Sequence, residues 1–182
     1  MSCLAPPGPR RRIKAVTPPA RTPAVQEPLI VERYAALFGV EDQMGDVVRA
    51  GAFAASLARC SEPLPMLVEH DERVPAGAWI EAHEDARGLF VRGELRADGP
   101  GAARARRMLA RGVDGLSIGF APLVAQARRR GRVLLEVELL EVSIVTHPMQ
   151  QFARLTARSR QSAVGIRQSG PSTADWRVPT AA

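Results

Sequence analysis

The sequence predicts a strand-rich α+β domain whose strands close into a barrel, and three observations carry that reading. Between residues 29 and 157 the apolar runs are short and rich in Val, Ile and Leu, and Gly, Pro and Asp punctuate them. Only two stretches have the composition and stop signals of helices. The strands follow one another too closely for repeated βαβ units, so pairing is expected to be mixed or antiparallel. At 182 residues the chain suffices for one domain with tails, not two full domains.

The elements follow in order. Leu29 to Phe38 (LIVERYAALF) reads as the first strand. Asp46 to Arg49 leads into a short helix, Ala50 to Ala58. Pro65 to Glu69 (PMLVE) is a strand ending at His70. Ala78 to Ala82 and Leu89 to Leu95 alternate in the manner of a hairpin, with EDARG as its turn. Pro100 opens the clearer helix, with Ala102 to Arg111 as its body and Gly112 as its stop. Gly115 to Leu123 reads as a strand, and Arg128-Arg129-Arg130-Gly131 as a turn. Arg132 to Thr146 is a long apolar, β-branched stretch, expected to break near Glu138 and to end at Pro148. Residues 1–28, Pro-rich and basic, and residues 158–182, polar with Gly, Ser and Pro, are expected to lack a fixed fold.

The net charge of +6 belongs to those tails. Residues 1–30 sum to +4 and residues 157–182 to +3, whereas residues 31–156 sum to −1. A folded nucleic-acid-binding domain should carry a basic face of its own, so that class is disfavoured; the tails retain weak contact with nucleic acid or an acidic partner. No apolar run reaches the ~20 residues of a membrane helix, and no signal peptide opens the chain. Cys3 and Cys60 make no disulfide framework, and a cytoplasmic location follows as the expectation. No two of His70, His83 and His147 have metal-ligand spacing and the cysteines lie far apart, so no zinc site is expected, and the reading calls for no cofactor.

Gly115-Leu116-Ser117-Ile118-Gly119 fits G-x-S-x-G, but its context is not that of an α/β-hydrolase. Pro122 follows too soon for the required helix, and on the motif alone a serine between two glycines is more often a structural bend. His70, at a strand end, has the ordinary pKa of a general base, although such a histidine is commonly only a satisfied side chain. His83, among Glu81, Glu84 and Asp85, reads as surface. Glu141 is a carboxylate within the apolar run LLEVSIV. It either faces the wet side of a half-buried strand or orients an imidazole, since a buried carboxylate needs a partner.

Five blocks, in this order, resemble the prohead proteases of tailed bacteriophages. They are Gly45-Asp46-Val47-Val48 with Gly51-Ala52-Phe53; Leu67-Val68-Glu69-His70-Asp71 before Val74-Pro75-Ala76-Gly77; Arg87-Gly88-Leu89 before Val91-Arg92-Gly93; Gly115-Leu116-Ser117-Ile118-Gly119-Phe120; and Leu140-Glu141-Val142-Ser143-Ile144-Val145 before Pro148. The resemblance covers roughly residues 29–156, and extends to the similar proteases of gene transfer agents, whose short, Arg-rich variant this chain suits.

The resemblance implies a serine endopeptidase with the closed, helix-flanked barrel of the herpesvirus capsid protease. Ser117 would match the nucleophile and His70 the general base. Glu141 would be the third member, on the strand where the herpesvirus relative carries a histidine; His147 is the rival and Glu138 a weaker one. The implied substrates are the major capsid protein with its scaffolding segment, and the chain itself. The portal and a second copy of the chain are further partners it admits, and the procapsid the site of action. The turn Arg128 to Arg132 offers cations for an oxyanion, although a solvated turn is its ordinary reading. Two other classes remain: a non-catalytic assembly factor with the same barrel, and a nucleic-acid binder acting through its tails.

Overall fold

The computed structural model describes residues 27–159. The expectations for the two tails therefore fall almost wholly outside the described residues. The elements run β1 (Leu29–Leu37), β2 (Val47–Val48), α1 (Ala54–Arg59), β3 (Leu64–Val68), β4 (Gly77–Glu84), β5 (Gly88–Leu95), α2 (Pro100–Ala110), β6 (Gly115–Ala127), β7 (Arg132–Val145) and β8 (Thr156–Ser159).

The strands form one mixed sheet in the order β2-β7-β3-β4-β5-β1-β8, with β6 also on β7. Its pairs are antiparallel except for β2 and β3, which run parallel to β7. The sheet curls until its ends meet. The Leu116 amide donates to Ala153 O at 2.8 Å and the Leu155 amide to Asp114 O at 2.7 Å, joining the approach to β8 with the start of β6. This is the nearly closed barrel that the strand pattern implies. Inside lie Val31, Met66, Trp79, Leu89, Leu116 and Ile144, all fully buried or nearly so. Burying an indole strands its N–H unless an acceptor is found. Trp79 Nε1 donates to Val142 O at 2.8 Å, tying β4 to β7 through the core. The Gln150 amide, also buried, is satisfied by Leu37 N, Leu37 O and Val40 O.

The structure departs from the sequence reading at several elements. The first helix begins only at Ala54, because residues 50–53 form turns around Gly51, whose φ is +90°. β2 and β8 were not expected; two- and four-residue strands carry too little periodicity to read. The long stretch after Gly131 does not break near Glu138. β7 is continuous for 14 residues, and the bulges in the hairpin absorb the irregular pattern instead.

Candidate active site

Three neighbouring strands supply the site. β7 lies between β3 and β6, with Leu67 paired to Ser143 on one side and Ser117 paired to Ser143 on the other. Residues directly opposite in an antiparallel ladder share a face, so Ser117 projects to the same side as Ser143. By strand alternation Glu141 projects there too. Leu116 and Ile144 point the other way, into the core.

His70 is brought over that face by a tight turn rather than by the strand itself. β3 stops at Val68, and the Asp71 amide donates to Val68 O at 3.1 Å. The two central residues, Glu69 and His70, have φ of +53° and +58°. Left-handed backbone at a non-glycine residue costs about 1–2 kcal/mol. Surrounding bonds offset it. The Glu69 amide donates to Ile144 O at 3.0 Å, and Glu69 Oε1 accepts from Thr146 N at 2.9 Å and Thr146 Oγ1 at 2.6 Å. The His70 amide donates to Ser143 Oγ at 3.1 Å. Behind the turn, α2 packs so closely that a Cβ at Gly101 would lie 2.3 Å from Val74 O.

The turn sets His70 Nδ1 2.6 Å from Glu141 Oε1. Glu141 Oε2 accepts from Ser143 Oγ at 2.6 Å, and Glu141 itself is 7% exposed. An ionised carboxylate only accepts, so the contact with Glu141 places the proton on Nδ1 and leaves Nε2 of a neutral ring as the acceptor. The Glu141 hydrogen bond raises the His70 pKa above its ordinary value; desolvation opposes this, while the charges of Glu141 and Glu69 add to it.

Ser117 lies on that same face, and the other sequence candidates lie elsewhere or in other roles. Ser117 is 4% exposed and makes no side-chain hydrogen bond among the described residues. Such contacts are often formed only with substrate bound. His147 lies exposed beyond the end of β7. Glu138 pairs with Arg59 and accepts from Ser56 Oγ at 3.4 Å. His83 is half-exposed, 3.4 Å from Glu81. The basic turn is engaged by acids: Arg128 lies 3.3 Å from Glu41, and Arg132 is bound to Asp46 at 2.5 Å. Among the described residues no group of three His, Cys, Asp or Glu could hold a metal ion.

Ser143, Gly119 and Glu69 were missed as candidates. Ser143 carried a readable signal: it is a hydroxyl two residues after Glu141 in an otherwise apolar strand, hence on the same face. Glu69 carried none, since its role depends on the turn.

Residues 18–165 match the family described as caudovirus prohead serine protease. The prohead protease of Enterobacteria phage HK97 is 34% identical over 135 residues, covering 70% of this chain and 59% of that protein. The chain thus spans less than two thirds of the length of that relative. The KSHV protease, solved with a hexapeptide phosphonate inhibitor, superposes with a TM-score of 0.54 over 76% of this chain and 68% of its own. At 17% identity that likeness is one of fold. With a family match across most of its length, on a nearly closed barrel, this chain belongs to the caudovirus prohead serine protease family.

Proposed function

We propose that the chain is a serine endopeptidase that cleaves the major capsid protein and its scaffolding segment, and itself, within an assembling procapsid in a bacterial cytoplasm. The observation that carries the reading is the 2.6 Å contact between His70 Nδ1 and Glu141 Oε1, on the strand next to Ser117. A serine hydroxyl is a poor nucleophile without an adjacent base. His70 Nε2 takes the Ser117 proton as the oxygen attacks the peptide carbonyl, then passes it to the leaving amine. Glu141 holds the imidazole in the Nδ1–H tautomer and balances its charge once protonated.

The test is co-expression with the capsid protein of the same phage-like element, read by intact-mass spectrometry. The wild type is expected to release a shortened capsid protein. Ser117→Ala and His70→Ala are each expected to abolish that product while melting like the wild type, because nucleophile and base act as a unit. Processing that persists with Ser117→Ala overturns the assignment. A wild type that neither cleaves nor is labelled at Ser117 by a fluorophosphonate supports a non-catalytic assembly factor.

A further inference from the structure

Ser143 is fully buried, between Val142 and Ile144. A buried hydroxyl without a partner costs about 1–3 kcal/mol, and an alanine would serve an apolar strand better. This hydroxyl has two partners, and both belong to the site. It accepts from the His70 main-chain N–H at 3.1 Å and donates to Glu141 Oε2 at 2.6 Å. An amide only donates and a carboxylate only accepts, so the orientation of the hydroxyl proton is settled. Ser143 also stands at the one register position of β7 opposite both Leu67 of β3 and Ser117 of β6.

We propose that Ser143 is a positioning residue, a single hydroxyl that locks the left-handed backbone of His70 and the rotation of the Glu141 carboxylate together, so that the imidazole is held toward Ser117. This rests on the reading of Ser117, His70 and Glu141 given above. The Glu141 carboxylate has two oxygens, and the His70 imidazole occupies one. Without a donor on the other, the carboxylate turns about its last torsion. Without an acceptor for the His70 amide, the strained turn relaxes. Both changes move the ring while leaving the barrel closed.

The test uses the full chain and a fluorophosphonate probe, in which the Ser117 oxygen bonds to phosphorus, fluoride leaves and the hydroxyl proton passes to the imidazole. Ser143→Ala is expected to lower the maximal labelling rate about 10- to 100-fold, as small misplacements do, with the probe's binding constant within about twofold. The second reading is the downfield Nδ1–H proton of His70 in ¹H NMR. It is expected in the wild type and displaced or lost in Ser143→Ala, which a purely structural serine would not cause. On a Glu141→Gln background Ser143→Ala should cost less than on the wild type. Should Ser143→Ala fail to melt cooperatively, Ser143→Cys, which fills the site with only a weak donor, carries the same two readings. Wild-type labelling and an unchanged Nδ1–H resonance in Ser143→Ala, beside an inactive His70→Ala, overturn this proposal alone. An active His70→Ala overturns the reading of the site and this proposal with it.

Discussion

A Cβ built on Gly119 would stand 2.2 Å from Glu141 Oε1, closer than any real contact allows. Gly119 pairs with Glu141 across the ladder, so the space it leaves is where the carboxylate lies. Gly119→Ala is therefore expected to displace Glu141 and cost about 100-fold in fluorophosphonate labelling, while the barrel still melts cooperatively. Wild-type labelling would show that the position of the carboxylate does not matter. Glu141→Gln keeps the shape but loses the charge, and a loss on the order of 10²–10⁴ is expected, with His147→Ala mild. The reverse pattern would transfer the third role to His147. The pH profile gives an independent check. His70 must be neutral to act as a base, so kcat/KM should rise with pH through a value above the ordinary imidazole range, because the Glu141 hydrogen bond favours the cation. In Glu141→Gln that inflection should move down. The same raised value stabilises the fold fully below the ordinary imidazole pKa of about 6.5, and that contribution is lost as pH rises through the folded value.

Among the elements, the long β6–β7 hairpin carries two of the three proposed catalytic residues and needs its far end held. Asp46 does this, accepting from Arg132 N at 2.8 Å and from its guanidinium at 2.5 Å. The Arg132 hydrogen bond holds the Asp46 carboxyl below its usual range despite burial. Asp46→Asn is expected to cost about 1–3 kcal/mol at neutral pH, the worth of a charge-assisted bond. The sign with pH follows from the lowered value. The contribution is present above the ordinary carboxylate pKa of about 3.9 and fades as pH falls through the lower folded value. Denaturant titrations of both proteins should therefore converge in acid, and a gap that stays constant to acid pH would remove this ion pair as the cause.

For the whole molecule, residues 27–159 contain the entire described core and both ends of the sheet that close the barrel. A protein of those residues alone is expected to unfold cooperatively within a few degrees of the full chain, by calorimetry. A molten or insoluble product would show that a tail belongs to the core. β8 sets the lower limit on the C-terminal cut, since Ser159 pairs with Leu29.

Composition, alternation and turn residues were enough to determine a strand-rich barrel, and the order of five short blocks was enough to determine the family. Ser117, His70 and Glu141 stood out as candidates because each is a chemically conspicuous residue in or beside an apolar or glycine-flanked run, and the family resemblance supplied the roles proposed for them. The hydrogen bond from the His70 amide to Ser143, the left-handed turn at Glu69 and His70, and the space beneath Gly119 were decided only by the tertiary structure. Each depends on which residues face one another across β3, β7 and β6. Local sequence sets a strand's alternation, which puts Ser143 and Glu141 on one face of β7, but not its partner or register, and it is register that brings His70 to Ser143.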